Sequence, residues 1–128
     1  MKKIELEKLT IELISSNILL ISLKDSVVIE EADVIEVKKH NLELTQGKDY
    51  VIVFDSGNYT TISEEGRKLM SSPEIELNRK ASAFVINSLG QKLIANFYLK
   101  VDRPKVPTKF FSDKEKAMNW VKEILASS

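Results

Sequence analysis

Polar side chains that could bind a ligand follow the most apolar runs of this sequence. They carry carboxylate, amide or hydroxyl groups: Asp55, Ser56, Asn58, Ser63, Asn87, Ser88 and Ser112. If the apolar runs are parallel strands, the strand ends and the starts of the following helices share one sheet edge, where ligands generally bind. Backbone N–H groups of helix N-termini there can hold an anion. The same residue types are common in turns and caps, so the pattern predicts a place rather than a chemistry.

Catalytic and metal chemistry have little support in the residue types. His40 is the single histidine and there is no cysteine, which excludes a histidine-based metal cluster, a thiolate site and a disulfide. We expect His40 on a helix face shared with Glu36 and Glu43, with the spacing of solvated ion pairs. No catalytic residue, metal site or cofactor is predicted, and the chain is not expected to be an enzyme.

Asp55 ends an apolar run in the manner of a receiver-type phosphoacceptor aspartate. That chemistry needs a further acidic pair to hold magnesium, and the end of the second predicted strand offers only Lys24 and Asp25. The four glycines are scattered and form no phosphate-binding loop. The sequence therefore does not predict phosphoryl transfer at Asp55.

Strands alternate with helices along the chain. Leu9 to Leu13 alternates apolar and polar residues and Ile18 to Leu23 is β-rich, which predicts an antiparallel hairpin. Tyr50 to Phe54 and Ala81 to Ile86 are typical of parallel strands buried on both faces, and Thr108 to Phe111 is a short last strand. The resulting architecture is α/β, with five strands in a mostly parallel sheet.

Four helices complete the pattern. Helix one lies between Ile29 and Leu44, and helix two begins after the cap Ser63 and ends near Ser71 and Pro73. On helix one, the apolar residues form an approximate helical stripe: Ala32, Val34, Ile35, Val37, Leu42 and Leu44.

Helices three and four each begin at a predicted capping box, Ser88 with Gln91 and Ser112 with Glu115. We expect helix three to bury Leu89, Leu93, Ile94, Phe97 and Val101. We expect helix four to bury Ala117, Trp120, Val121, Ile124 and Leu125. Tyr98 falls beside the stripe of helix three and is expected to be partly exposed.

Composition and charge limit the kinds of partner. The 128 residues fit one domain, residues 1–128, and the nineteen basic residues balance nineteen acidic ones. This balance argues against nucleic acid as a partner, and the basic stretch Lys100, Arg103, Lys105 and Lys109 is interpreted as solvated surface. No apolar run is long enough to span a membrane, so stable membrane insertion is not expected. We expect a cytoplasmic location.

Two stretches resemble STAS domains, the fold of bacterial anti-sigma factor antagonists. Residues 50–71, YVIVFDSGNYTTISEEGRKLMS, resemble the STAS core, in which a buried strand ending in Asp is followed by a short link and a capped helix. Residues 97–121, FYLKVDRPKVPTKFFSDKEKAMNWV, are similar to a group of uncharacterised bacterial STAS-like proteins common in Bacteroidetes. The resemblance implies strands in sequential order and helices mainly on one face.

The resemblance also implies control of partner binding by phosphorylation at the start of helix two. In anti-sigma factor antagonists an Asp-Ser-Ser-Gly motif stands there and its second Ser is phosphorylated. The aligned residues here are Ser63, Glu64, Glu65 and Gly66, so an acid replaces the phosphoacceptor hydroxyl. We therefore expect the phosphorylation switch to be absent.

The sequence leads to one main functional hypothesis and one alternative. The first is a non-enzymatic STAS-like interaction or regulatory module that binds a protein partner, or a second copy of itself, near helix two. The alternative is a small-ligand or lipid-binding domain that uses the carboxyl edge of the strands. The candidate surface for either comprises Asp55, Asn58, Ser63, Glu64, Glu65 and Ser88.

Overall fold

In the computed structural model, which describes residues 2–127, strands and helices alternate as the sequence predicts. The strands are β1 (Lys3–Glu5), β2 (Leu9–Ser15), β3 (Ile18–Leu23), β4 (Val28–Ile29), β5 (Tyr50–Asp55), β6 (Thr61–Ile62), β7 (Arg79–Val85) and β8 (Thr108–Phe111). The helices are α1 (Glu31–Thr45), α2 (Glu64–Met70), α3 (Pro73–Glu76), α4 (Leu89–Phe97) and α5 (Lys114–Ala126). A π-helical turn, Tyr98–Asp102, continues α4.

The main sheet has the order β1-β2-β3-β5-β7-β8. Strands β1, β2 and β3 pair antiparallel, and each later neighbour pairs parallel. Within residues 2–127 the sheet has six strands rather than the five predicted, because β1 adds to the predicted hairpin, with Ile4 opposite Ile11. Strands β4 and β6 form a separate parallel pair, in which Ile29 lies opposite Ile62. The predicted α/β class, sequential strand order and N-terminal hairpin are confirmed.

The two faces of the main sheet are covered unequally. One face buries the larger side chains of β3 and β5, such as Ile21, Tyr50 and Ile52, under helices α1 to α4. The other face, which includes Val53 and Ala83, is covered by α5 alone. Side chains alternate between these faces because successive strand residues point to opposite sides. Helices therefore lie mainly on one face, as the STAS resemblance implies.

Helix boundaries differ from the predictions at two places. Pro73 does not merely end helix two: it opens the short α3, where its fixed φ and missing N–H are tolerated in the first helical turn. The N-cap of α5 is Asp113 rather than Ser112, because the Asp113 carboxylate accepts from the N–H groups of Glu115 and Lys116. Residues 2–127 thus contain five α-helices rather than the four predicted.

The buried face of α1 is more polar than predicted. Lys38, Asn41 and Thr45 are buried together with Val34 and Val37, at helical spacing. The expected stripe members Ala32 and Ile35 are exposed instead. His40 is half-buried and, among the described residues, forms no ion pair, so the expected pairing with its acidic neighbours is wrong.

The orientation of α4 is the largest departure from the sequence prediction. Its buried residues are Gln91, Ala95 and, in the π turn, Tyr98. The apolar residues predicted to be buried are mostly exposed: Leu89, Leu93, Phe97 and Val101. Only Ile94 of that stripe is partly buried. Tyr98, predicted to be partly exposed, is in the core.

Candidate ligand-binding site

The loops after β5 and β7 meet at the carboxyl edge of the sheet, as predicted. Ser56 N–H donates to the Val85 carbonyl at 3.1 Å, and the Asn87 side chain donates to the Ser56 carbonyl at 3.3 Å. Because β5 and β7 are adjacent parallel strands, their ends lie side by side. The two loops therefore form one continuous surface.

Gln91 joins this surface to the start of α4. Its side-chain NH₂ donates to the carbonyls of Gly57 and Thr60, at 2.9 and 3.2 Å. Its Oε1 accepts from the N–H of Asn87, not of Ser88 as a capping box requires. Ser88 Oγ does cap the helix, accepting from Gln91 N–H. The predicted cap is confirmed on one side only, and Gln91 instead holds the loop before β6.

Gly57 allows that loop to pass close to the end of β3. A Cβ at this position would lie 2.7 Å from the backbone oxygens of Leu23 and Lys24, well inside contact distance. Asp25, next along the chain, accepts from Asn58 N–H at 2.8 Å. The Asp25 carboxylate therefore has a structural partner, and Gly57 is required by the close approach of two backbones.

The six candidate surface residues fall into two groups. Asp55 ends β5, Asn58 is exposed in the following loop, and Ser88 is the N-cap of α4. Ser63 is the N-cap of α2, with its Oγ accepting from Gly66 N–H, and Glu64 and Glu65 are exposed in the first turn of that helix. No hydrogen bond or ion pair connects any two of the six. They line an edge rather than form one cluster.

The charge on Glu64 is stabilised locally. Its carboxylate lies 3.0 Å from Lys68 Nζ, one helical turn later. The hydrogen bond and charge of Lys68 lower the pKa of Glu64, and Glu64 in turn raises the pKa of Lys68. The first turn of α2 therefore presents to solvent the Glu64–Lys68 ion pair and the exposed side chain of Glu65.

A cavity of about 120 Å³ lies beneath the edge, between the first face of the sheet and helices α1, α2 and α4. Most of its lining is apolar. Residues from the three helices contribute Val34, Val37, Met70, Ile94, Ala95 and Tyr98. At the carboxyl edge the lining includes the partly exposed Ser56 and Ile86 and the exposed Thr61, so the cavity reaches the surface there.

Three phenylalanines form the floor of the cavity. Phe54, Phe84 and Phe110 are opposite each other on β5, β7 and β8. Their rings stack at centroid distances of 4.7 and 5.0 Å, and the Tyr98 ring meets Phe84 edge-on at 6.0 Å. Offset and edge-on arrangements are the favoured geometries of aromatic pairs. We call the three stacked rings the aromatic ladder.

An ion pair connects two of the helical segments that cover the cavity on the side opposite the aromatic ladder. Arg67 of α2 donates through Nε to the Asp102 carboxylate in the π turn, and its guanidinium lies 4.5 Å from the Phe97 ring centroid. Both charged side chains are largely buried. This contact ties α2 to the end of α4 above the cavity.

Two cations, Lys38 and Arg79, lie beside Tyr50 on the same face of the sheet. Lys38 Nζ donates to the Tyr50 hydroxyl at 2.9 Å and to the Leu77 carbonyl, and Arg79 lies opposite Tyr50 in the strand register. Burial lowers the pKa of Lys38. Burial also raises the pKa of Tyr50, but the charges of Arg79 and Lys38 outweigh it and leave that pKa below its ordinary value. Burial raises the pKa of Tyr98.

The sequence predicts the edge but not the cavity. Tyr98, expected to be partly exposed, is buried, and neither Arg79 nor the aromatic ladder was predicted. One signal was available: Phe54 and Phe84 each stand one residue before the end of a parallel strand, a position that places them side by side. The burial of Arg79 has no comparable signal.

Two further structural findings concern metals and membranes. Within residues 2–127, no three His, Asp or Glu side chains converge in a way that could hold a metal ion. Over the same residues, no helix combines the length and apolar character needed to cross a membrane.

The fold is similar to that of a solved protein from Shewanella loihica PV-4, described as an uncharacterized protein of the DUF3478 family with a SpoIIAA-like fold. The two chains are 18% identical, the TM-score is 0.55, and the match covers 88% of this chain and 91% of the other. The STAS-like resemblance is thereby confirmed at the level of the fold. No curated protein matches the chain. Residues 12–125 match the family described as a domain of unknown function, DUF7793, and the chain belongs to that family.

Proposed function

We propose that this protein is a non-enzymatic regulatory module that binds a small apolar ligand in the cavity above the aromatic ladder. The observation that carries the proposal is the cavity itself, with an apolar floor of three stacked rings and an opening at the carboxyl edge of β5 and β7. Ligand sites in open α/β sheets generally lie at this edge. The cytoplasmic location expected from the sequence fits such a role and remains a prediction.

The size and lining of the cavity support occupancy by a molecule rather than by water. Protein interiors are close-packed, and voids larger than a water molecule are few. An engineered apolar cavity of roughly 150 Å³ stays dry and binds benzene. The cavity here, at about 120 Å³, is of comparable size and mainly apolar. A compact ring or short branched chain is therefore the matching class of ligand.

Ligand binding can be tested by filling the cavity from one side. Ala95 lines it from α4 and is buried, whereas the neighbouring Asn96 is exposed. Toluene added to the wild-type protein should cause saturable shifts in the methyl NMR signals of Val34, Met70 and Ile94. Ala95→Met should abolish them, because its longer side chain occupies the space, and the control Asn96→Met should leave them unchanged. Equal saturation in a folded Ala95→Met protein would contradict binding in the cavity.

Helix α2 supports a protein partner as a second candidate function. The helix contributes Arg67 and Met70 to the cavity while it presents Glu64 and Glu65 to solvent. A partner that contacts these two acids would touch the same helix as the ligand, so this surface is suited to reporting whether the cavity is occupied.

The partner surface is tested by the double substitution Glu64→Lys with Glu65→Lys. The pair that Glu64 forms with Lys68 is exposed, and exposed ion pairs contribute little to stability, so the melting temperature should change little. Proteins captured from the native host by the wild type should be lost with the double variant. Capture of the same proteins by both would remove the start of α2 from consideration.

A further inference from the structure

Arg79 is a buried cation for which the described part of the chain supplies no anion. It is 5% exposed and lines the cavity. Its Nε has no hydrogen-bond partner, and no carboxylate within residues 2–127 forms an ion pair with it. Its guanidinium carbon lies 5.6 Å from the centroid of the Phe54 ring, and the guanidinium interacts with the hydroxyl of Tyr50. A buried charge without a counter-charge is costly, so its retention needs an explanation.

The other buried or largely buried charged groups on this face have partners. Asp102 is paired with Arg67. The Glu76 carboxylate accepts from the N–H groups of Lys105 and Val106. Lys38 donates to Tyr50 and to a backbone carbonyl. Arg79 differs from them because its neighbours are the Tyr50 hydroxyl and the Phe54 ring, and no carboxylate or main-chain carbonyl of residues 2–127 accepts from its Nε.

Tyr98 adds a second polar side chain to the same cavity. It is 5% exposed, lines the cavity, and meets the Phe84 ring of the aromatic ladder edge-on at 6.0 Å. A tyrosine hydroxyl can donate a hydrogen bond as well as accept one. A ligand with acceptor oxygens could therefore use donors from both Arg79 and Tyr98.

We infer that the ligand is a small carboxylic acid whose carboxylate binds Arg79 and whose apolar body lies on the aromatic ladder. This inference rests on the proposed function and names its ligand class. A guanidinium can donate two parallel N–H bonds to a carboxylate, and charge-assisted bonds of this kind are among the strongest in proteins. The cavity size limits the body to about a single ring or a short chain, as in benzoate. The apolar floor makes a wholly polar anion such as phosphate a poor fit.

The inference is tested by comparing benzoate with benzyl alcohol, which keeps the ring and lacks the charge, using isothermal titration calorimetry. Wild-type protein should bind benzoate at least about tenfold more tightly, since a hydrogen bond to a charged group contributes that much or more. Inorganic phosphate should not compete. Arg79→Met should bind the two compounds equally, while the control Lys80→Met, an exposed cation next in the strand, should keep the preference.

The stability of Arg79→Met gives an independent readout. If Arg79 had only a structural role, its loss would lower the melting temperature. Because no anion pairs with it, we expect the ligand-free variant to melt at the same temperature as wild type or higher. A large decrease, together with an unchanged preference for benzoate, would overturn the inference.

The outcomes separate this inference from the proposed function. Equal affinity of wild type for benzoate and benzyl alcohol would overturn the acid as the ligand class while leaving the cavity as a binding site. Failure of benzoate, benzyl alcohol and toluene alike would overturn both. The comparison on wild-type protein decides the point even if Arg79→Met fails to fold.

Discussion

Helices α4 and α5 carry similar apolar stripes and meet opposite faces of the same sheet with opposite results. On α5 the stripe is the buried face: Ala117 and Val121 are fully buried, and Trp120 packs against Phe111 at 5.9 Å. On α4 the stripe is exposed, and Leu93 retains 62% of its accessible surface. An apolar stripe therefore predicts burial only where nothing else fixes the rotation of the helix.

The difference lies in what holds each helix. α5 contacts a surface of small and β-branched side chains, including Val51, Val53 and Ala81, so apolar area alone determines how it packs. α4 is anchored at its start by the hydrogen bonds of Gln91 and at its end by the Arg67–Asp102 ion pair. Hydrogen bonds are directional and apolar burial is not, so the polar anchors set the rotation of α4.

The largest expected effect is on the polar anchor of α4. Arg67→Met leaves the Asp102 carboxylate buried without a cation, which should lower the free energy of unfolding by about 3 kcal/mol. Chemical denaturation measures this, with Lys68→Met, an exposed neighbour, as the control. Adding Asp102→Leu to Arg67→Met should recover part of the loss. A cost below that of truncating Trp120 would mean that α4 is not held chiefly by polar contacts.

Truncating the apolar anchor of α5 should cost somewhat less. Replacing a fully buried tryptophan by alanine lowers the free energy of unfolding by about 3–5 kcal/mol. Trp120 is only half-buried, so we expect Trp120→Ala to lower it by about 2 kcal/mol. The exposed neighbour Asn119 provides the control substitution Asn119→Ala. Urea denaturation that shows less than about 1 kcal/mol would indicate that α5 is not docked through its stripe.

Removing the loop contact of α4 should have a smaller effect that is also visible in the structure. Gln91→Leu leaves two carbonyls and the Asn87 N–H without their partner, and we expect a loss of about 1.5 kcal/mol, since water can reach part of the loop. Amide hydrogen exchange should accelerate in residues 57–60. Lys92→Leu, which adds leucine at an exposed neighbour, should leave exchange in that loop unchanged.

The smallest effect is expected on the exposed stripe. Leu93→Gln exchanges one good helix former for another at a solvent-facing position, so the free energy of unfolding should change by no more than about 0.5 kcal/mol. The corresponding change on α5, Val121→Gln, should destabilise strongly because Val121 is fully buried. A large loss from Leu93→Gln would show that α4 buries its stripe in solution and would break the comparison.

Much of the fold could be predicted because it depends on local patterns. The alternation in β2 and the continuous apolar runs of β5 and β7 indicate strands of the right type, and Ser63 and Ser88 mark the true starts of α2 and α4. Strand type and helix caps follow from neighbours a few residues apart, so the sequence contains the information directly. The carboxyl edge of the sheet followed from the same patterns.

The predictions were wrong where polar groups choose partners that are distant in sequence. Lys38 is buried in α1 because Tyr50 and the Leu77 carbonyl accept from it, although an amphipathic pattern places lysine in solvent. The wrong N-cap predicted for α5 has a local cause instead: Ser112 and Asp113 are adjacent and both residue types favour the N-cap, so propensity does not distinguish them.

The sequence by itself determined the α/β class, the order of the elements and the edge where a ligand site would form. Tertiary structure alone decided which side of α4 faces the sheet, and with it the cavity, the burial of Tyr98 and the unpaired charge of Arg79. The physical reason is the distance along the sequence over which each kind of interaction acts. Periodicity and capping act within a few turns of one element, whereas the Gln91 and Arg67 contacts join residues more than thirty positions apart and exist only once the sheet has formed.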